Sequence, residues 1–304
     1  MKKALLYSLF GIVCLISVDT LCGLVYRKLL KSLPDNETFL SYMYQNLYKK
    51  ESDVLIIGAS QVKYGYDTDI FCNIMEKSCY NAGWAGYGLL YYQVIIDATI
   101  KRHKPELILI DINEPYLSGM YRFQNTKMKC WYDISPSVQD CLDQNTTFIE
   151  HLKLKSNLYK YNRITQQLIR TYNLTIQHPN GYEPLYGVLK QAEPNTTEAF
   201  KLDSAELRLF ENIVSISQKN DITLIVSQAP SFSYDTKFNE WWEEYLKQHN
   251  IIFFNYSTDT FFMRRPNLFS DKWHLNHEGA KIYSERLALK CRDILSAKHE
   301  SRNQ

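Results

Sequence analysis

The sequence DVLIIGAS occupies residues 53–60 and places four consecutive apolar residues directly before a glycine, an alanine and a serine. A short apolar run of this kind is typical of a strand that is buried on both faces of a parallel sheet. Ligands gather at the carboxyl ends of such strands, so Ser60 stands where chemistry is expected. The stretch therefore predicts a fold class and one candidate site residue.

Further apolar runs repeat this pattern along the chain. They end at Tyr80 or cover residues 107–110, 223–226 and 251–255. Helical patterns separate or follow these runs over residues 67–75, 89–102, 204–218, 237–248 and 278–295. Strands that alternate with helices indicate a parallel sheet. We predict an α/β fold, namely a flavodoxin-like three-layer sandwich with a central parallel sheet of about five strands, plus an N-terminal transmembrane helix.

The amino-terminal segment is apolar enough to enter a membrane. Residues 4–18 and 21–26 are predominantly apolar and together approach the length of a bilayer span. Asp19 interrupts them at an energetic cost, and we expect it near the bilayer interface or against a partner helix. No small residue directly precedes Cys14 or Cys22, and no cleavage pattern of a signal peptide is present. Residues 1–30 are therefore predicted to be an uncleaved transmembrane signal anchor, followed by a helical stalk at residues 31–52.

The orientation of this anchor is not decided by charge, because lysine and arginine residues flank the apolar segment on both sides. Large carboxy-terminal domains are translocated largely regardless of charge. We therefore expect a single-pass membrane protein whose main domain lies on the extracytoplasmic side. That domain is predicted over residues 53–297, with an irregular, proline-containing insertion at residues 116–200 that includes a helical stretch over residues 146–172.

Composition argues against several classes of partner. The net charge is only +2 and the lysine and arginine residues do not cluster, so no nucleic-acid partner is expected. The seven cysteines lack the paired spacing of a zinc site, so no metal is expected. Outside the cytoplasm Cys72 with Cys79 and Cys130 with Cys141 could form disulfides, and buried free thiols are the alternative. No glycine-rich phosphate loop follows the first strand, so no nucleotide or flavin cofactor is expected.

A serine, a histidine and an aspartate are spaced as a catalytic triad would require. A serine hydroxyl becomes a useful nucleophile when a base lies within hydrogen-bond reach and a third group orients that base. His274 is the candidate base, in a loop that follows the last predicted strand. Asp271 lies three residues before it, close enough for its carboxylate to reach the far ring nitrogen. We therefore predict Ser60, Asp271 and His274 as catalytic residues.

Four motifs in this order resemble the SGNH or GDSL-like family of esterases and acyltransferases. Gly58-Ala59-Ser60 resembles the first block, although the family's usual aspartate is alanine here. Asn81-x-Gly83-x-x-Gly86 resembles the second block, and Asp271-x-x-His274 closely resembles the fifth. Asp111-Ile112-Asn113-Glu114 loosely resembles the third block, where the family pattern is Gly-x-Asn-Asp. The resemblance covers roughly residues 53–114 and 220–290. It implies an oxyanion hole formed by Ser60 N–H, Gly86 N–H and the Asn113 side chain.

The resemblance implies acyl transfer through an acyl-serine that water or a sugar hydroxyl resolves. The expected substrate is an acylated carbohydrate or another ester, with acetyl as the expected acyl group on cell-envelope or exported polysaccharide. A membrane-bound acyl-transfer partner would fit the transferase alternative. The competing interpretation is a non-catalytic envelope module of the same fold that binds glycan or an assembly partner.

Overall fold

The computed structural model of the protein describes residues 2–36, 38–174 and 180–303. The contacts between residues divide the chain into two compact units. The first comprises Met1–Lys49 and Thr126–Gln177, and the second comprises Lys50–Asn125 and His178–Gln304. The predicted stalk thus falls almost entirely in the first unit, together with the central part of the predicted insertion.

The second unit contains a central sheet and a small second sheet. The strands in chain order are β1 (Val54–Ile57), β2 (Cys79–Asn81), β3 (Leu107–Asp111), β4 (Asn195–Thr197), β5 (Thr223–Gln228), β6 (Ser233–Asp235) and β7 (Ile252–Asn255). The central sheet has the order β2-β1-β3-β5-β7, and every neighbouring pair is parallel. This is the flavodoxin-like order, in which β2 lies on one side of β1 and all later strands of the sheet lie on the other side. The predicted fold class is therefore confirmed.

Helices flank this sheet. In the second unit they are α3 (Ser60–Gly65), α4 (Thr68–Met75), α5 (Leu89–Ile100), α6 (Glu114–Leu117), α11 (Ser204–Lys219), α12 (Thr236–Gln248), α13 (Thr260–Met263) and α14 (His277–Asn303). Helix α14 packs on α3 and α4, and α11 packs on α5. Because side chains alternate along a strand, β1 presents Val54 and Ile56 to the core that contains α4 and α14, and Leu55 and Ile57 to the opposite face. The two faces make the strand apolar throughout and explain its unbroken hydrophobic run.

The first unit is helical. Its helices are α1 (Lys2–Leu30), α2 (Phe39–Tyr48), α7 (Pro136–Asn145), α8 (Phe148–Lys153), α9 (Asn157–Lys160) and α10 (Ile164–Asn173). Helix α1 is long and apolar enough to cross a membrane, as an anchor or as a signal sequence, and the large apolar side chains of its first half are exposed. The 3-10 helix Arg122–Trp131 leads into this unit.

Asp19 connects α1 to the short helix α9 within the first unit. Its carboxylate accepts hydrogen bonds from the Ser156 hydroxyl at 2.7 Å and from the backbone N–H groups of Asn157 and Leu158 at 3.1 and 2.9 Å. A Cβ atom at Gly23, one helical turn further along α1, would lie 2.6 Å from the Asn157 side chain, so only glycine permits this approach. Both oxygens of the carboxylate that interrupts the apolar run thus accept hydrogen bonds from the insertion.

The structure corrects the predicted helix over residues 146–172, which is three short helices. Thr147 and Ser156 each accept a backbone N–H of the helix that follows, at Glu150 and Tyr159. Arg163 has a φ of 69°, which also interrupts the helix. Serine and threonine favour helix starts over helix interiors, and that preference overrides the apolar periodicity here. The last helix, predicted over 278–295, begins at His277 and continues to Asn303.

The cysteines are thiols rather than disulfides. All seven, none of which falls in the gaps of the described chain, are free. The sulfur of Cys72 accepts a hydrogen bond from the Cys79 N–H at 3.3 Å, and Cys130 and Cys141 are buried. The interpretation as small buried side chains therefore describes Cys79, Cys130 and Cys141, while Cys72 is partly buried.

Candidate active site

Ser60 and His274 meet at the carboxyl edge of the central sheet, inside the second unit. Ser60 is the first residue of α3, directly after β1, and His274 lies in the loop between β7 and α14. The His274 Nε2 atom is 2.9 Å from the Ser60 Oγ atom, although the two residues are 214 positions apart. This distance is within hydrogen-bond reach, as a nucleophile and its base require.

Asp271 completes the arrangement on the other side of the imidazole ring. The His274 Nδ1 atom lies 2.9 Å from Asp271 Oδ2 and 3.0 Å from Oδ1. Asp271 Oδ1 also accepts the backbone N–H groups of Trp273 at 2.8 Å and of His274 at 2.9 Å. The carboxylate therefore fixes both the loop and the ring, and it directs the Nδ1 proton toward itself.

The environment keeps Asp271 ionised. Burial alone would raise the pKa of this carboxyl, but the hydrogen bond from His274, the backbone N–H of Trp273 and the attraction of His274 outweigh it and hold the pKa below its usual value. The side chain of Asp271 is 44% exposed and that of His274 is 19% exposed. An ionised, partly hydrated carboxylate beside an imidazole can stabilise the imidazolium that forms when the serine loses its proton.

The turn that carries Ser60 needs a glycine before it. A Cβ atom at Gly58 would lie 2.2 Å from Val62 Cγ2 and 3.3 Å from Asp111 Cβ. The loop after β2 is held against the same turn by Asn81, whose Nδ2 atom donates to the carbonyl groups of Val62 and Tyr66 at 2.7 and 3.0 Å. The first two motifs of the sequence are thus adjacent in space, and Gly58 and Asn81 shape the turn that carries Ser60.

Gly86 lies in the loop after β2 and has a φ of 78°, a left-handed conformation that glycine adopts without strain. It is not among the residues that the structure describes as lining the cavity beside Ser60. Its predicted role as an oxyanion donor stays a prediction. The conformation explains why a glycine stands there whether or not its N–H contacts a substrate.

Asn113 lies at the end of β3 and lines the same cavity as Ser60. Its Nδ2 atom donates to Asp111 Oδ1 at 2.7 Å and to the Gln61 side-chain carbonyl. Both amide hydrogens therefore have acceptors in this state. An oxyanion could receive one of them only by displacing Gln61, whose side chain is partly exposed and also donates to the Trp273 carbonyl at 3.3 Å.

Asp111 is a buried residue at the start of the third motif, and the motif predicts no role for it. It is 1% exposed and accepts hydrogen bonds from the Tyr66 hydroxyl at 2.6 Å and the Ala229 N–H at 2.8 Å, in addition to Asn113. Burial raises its pKa to about 7, although the bonds from Tyr66 and Ala229 act in the opposite direction. The carboxylate orients the Asn113 amide, and its position two residues before that asparagine was the available signal.

A cavity of about 540 Å³ opens beside the triad. This volume is within the range of small-molecule sites. Its lining includes Ser60, Asn113, Glu114, Gln228, Trp273 and His274. The Trp273 ring is 54% exposed, and Gln228 is 1% exposed. No motif in the sequence indicates a role for Gln228 or Trp273.

No group of three or more histidine, cysteine, aspartate or glutamate side chains that could hold a metal ion occurs within the described ranges. A serine, a histidine and an aspartate in hydrogen-bonded series, next to a cavity, can perform nucleophilic attack on a carbonyl group.

The fold and this geometry define a class: an α/β protein with the triad arrangement of a serine hydrolase at the carboxyl ends of its strands. No protein-family model and no curated protein matches the chain. Three solved structures are similar to it. A protein assigned to the G-D-S-L family of lipolytic proteins, from Desulfitobacterium hafniense, has 13% identity and a TM-score of 0.40, with 78% of this chain and 98% of that chain covered.

The second is a protein assigned as an acylhydrolase, from Bacteroides fragilis, with 11% identity, a TM-score of 0.44 and coverage of 84% of this chain and 97% of that chain. The third is assigned as a platelet activating factor, from Streptococcus pneumoniae, with 14% identity, a TM-score of 0.42 and coverage of 96% and 99%. Likeness at this level concerns general architecture.

Proposed function

We propose that the protein is a membrane-tethered serine esterase or O-acyltransferase that acts on O-acyl groups, with acetyl as the expected group, of cell-envelope or exported polysaccharide. The observation that carries the proposal is the continuous series of hydrogen bonds from Ser60 Oγ through His274 to Asp271, with 2.9 Å on each side of the ring. This series supplies what nucleophilic attack by a serine requires, namely a base beside the hydroxyl and a carboxylate that orients the base. The membrane tether is α1, and we place the catalytic unit outside the cytoplasm.

The proposed reaction conserves protons and has two halves. Ser60 Oγ attacks the ester carbonyl carbon while its proton passes to His274 Nε2, and Asp271 stabilises the imidazolium. The imidazolium then gives that proton to the leaving alcohol oxygen as the carbon–oxygen bond breaks, which leaves an acyl-serine. In the second half, water or a sugar hydroxyl attacks the acyl carbon and gives its proton to Nε2. The bond between that carbon and Ser60 Oγ then breaks as the imidazolium returns the proton to Oγ.

The oxyanion of each half would be stabilised by the N–H groups of Ser60 and Gly86 and by the Asn113 amide. In sites of this kind one such donor is worth about 3–4 kcal/mol of transition-state energy. Because Asn113 also bonds Gln61, we infer that the bound ester displaces the Gln61 carbonyl. With water as the acceptor of the acyl group, the protein is an esterase. With a sugar hydroxyl as the acceptor, it is a transferase, and a membrane-bound partner could supply its acyl groups.

A fluorophosphonate probe tests the proposal directly, because it forms a covalent bond only with an activated serine. The wild-type protein should be labelled, and the Ser60→Ala variant should not. Ser296→Ala is the matched control, since Ser296 is exposed on α14 and takes no part in the series, and it should be labelled like the wild type. Absence of labelling in folded wild-type protein would support a non-catalytic envelope module instead.

A further inference from the structure

Gln228 lines the cavity beside the triad at the end of β5. It is 1% exposed, its backbone carbonyl accepts the Tyr256 N–H at 2.9 Å, and its side-chain Nε2 atom donates to Asn239 Oδ1 at 2.7 Å. Among the buried side-chain atoms that lack a hydrogen-bond partner in the described chain, Gln228 Oε1 is the one whose residue lines this cavity.

The orientation of the Gln228 amide follows from a series of hydrogen bonds behind it. The Ser257 N–H donates to Asn255 Oδ1 at 3.0 Å, and a backbone N–H can only donate, so the atom it meets is the carbonyl oxygen. The Ser257 hydroxyl donates its one proton to the same oxygen at 2.7 Å. It must therefore accept from Asn239, whose Nδ2 atom lies 3.1 Å away.

This order fixes the next amide as well. With Nδ2 of Asn239 directed at Ser257, the Oδ1 atom of Asn239 faces Gln228 and can only accept, so Gln228 presents Nε2 to it. The carbonyl oxygen of Gln228 is consequently the atom left without a partner. A rotation of the Gln228 amide would bring two carbonyl oxygens together.

A buried acceptor without a donor is unfavourable, and such groups in native proteins usually have a ligand or an ordered water as partner. Gln228 belongs to the wall of a cavity large enough for a small ligand, so a molecule bound there would supply the missing donor once it reaches the buried Oε1 atom. Glu114 lines the same cavity and its carboxyl group adds acceptor capacity there. The wall is therefore suited to donors such as hydroxyl groups.

We propose that Gln228 Oε1 accepts a hydrogen bond from a hydroxyl group of the substrate's alcohol portion, so that the site selects esters of polyhydroxylated alcohols over esters of plain hydrocarbon alcohols. This inference rests on the proposed function and assigns recognition of the substrate's alcohol portion to one residue. Sites built to bond a substrate hydroxyl reject the analogue that lacks it more strongly than apolar pockets discriminate, because the buried polar group is then unpaired.

Two acetate esters with three-carbon alcohols test this selectivity. Glycerol monoacetate carries two free hydroxyl groups, and propyl acetate carries none, while the acyl group is the same. The ratio of kcat/KM for glycerol monoacetate over propyl acetate should be at least about tenfold in the wild type, and Gln228→Met should reduce it to near one. Methionine keeps the length of the side chain but cannot accept as the amide does.

Gln248→Met is the matched control, because Gln248 is exposed at the end of α12 and its side chain donates to Glu244 Oε1 at 2.8 Å. Its ratio should equal that of the wild type. The comparison of esters on the wild type needs no variant, so equal kcat/KM values for the two esters would overturn the inference even where Gln228→Met does not fold.

The outcomes separate the two proposals. Fluorophosphonate labelling of the wild type with equal kcat/KM for the two esters, or with a ratio that Gln228→Met leaves unchanged, would overturn the role of Gln228 alone. Absence of labelling would overturn the proposed function and the inference with it. A purely structural Gln228 would lower the melting temperature on substitution without moving the ratio.

Discussion

Replacing Asp271 by asparagine should abolish most of the activity while leaving the loop in place. Asp271 Oδ1 accepts the N–H groups of Trp273 and His274, and only an oxygen can do this. The asparagine therefore keeps its oxygen at Oδ1 and places its NH2 group at the Oδ2 position, 2.9 Å from His274 Nδ1. Because an NH2 group only donates, Nδ1 must become the acceptor, and the ring proton moves to Nε2.

A proton on Nε2 faces Ser60 and prevents the ring from accepting the serine proton. In triads of this kind the same change lowers kcat by about 10⁴-fold, which corresponds to about 5 kcal/mol of activation free energy. Stability should change little, because Asp271 is 44% exposed and exposed ion pairs are worth about 0–1 kcal/mol. A domain of this size would then lose at most about 4 °C in melting temperature.

The assay is turnover of p-nitrophenyl acetate, with the melting temperature measured on the same preparations. Asp259→Asn is the matched control, since Asp259 caps α13 by accepting the Phe261 N–H at 2.8 Å and asparagine caps helices equally well. It should retain wild-type turnover. A decrease of less than tenfold in Asp271→Asn, at unchanged stability, would refute the assignment of Asp271 as the group that orients His274.

Two further predictions concern the asparagine and the buried aspartate behind the site. Asn113→Ala should lower kcat by about 10²–10³-fold if the amide serves the oxyanion, and a change below tenfold in the p-nitrophenyl acetate assay would assign the amide to structure only. Since burial raises the pKa of Asp111 from 3.8 to about 7, its contribution to stability is full below about pH 4 and is lost as the pH rises through about 7. Urea unfolding at pH 5 and pH 8 should therefore show the wild type losing stability relative to Asp111→Asn at the higher pH, and equal pH dependence in the two proteins would contradict the buried, raised carboxyl.

The sheet could be predicted because its strands are buried on both faces. Residues 54–57 and 107–110 are uninterrupted apolar runs, and such runs end where loops begin. The position of Ser60 was predictable for a related reason, because it directly follows β1 and parallel strands bring their carboxyl ends to one edge. His274 lies in the loop before the last helix, 19 residues after the end of β7. Short-range spacing sufficed for Asp271, which lies within one turn of chain of its histidine.

The roles of Gln228 and Asp111 could not be predicted, because they depend on contacts with residues distant in sequence. Asn239 and Ser257 determine which end of the Gln228 amide remains without a partner, and nothing in the residues next to Gln228 indicates this. Asp111 bonds Tyr66 and Ala229, which are 45 and 118 positions away. The single helix predicted over residues 146–172 is wrong, because the hydroxyl groups of Thr147 and Ser156 begin new helices within it. Apolar spacing alone does not indicate these starts.

The contact between Asp19 and α9 has a consequence for proteolytic maturation. A peptidase that removed α1 would strip the Asn157 and Leu158 N–H groups of their carboxylate acceptor, and hydrogen bonds to charged groups contribute about 1.5–3 kcal/mol each. From Lys3 to Asp19 the helix rises about 24 Å, close to the thickness of a hydrocarbon core. Removal of α1 is therefore expected to destabilise the start of α9.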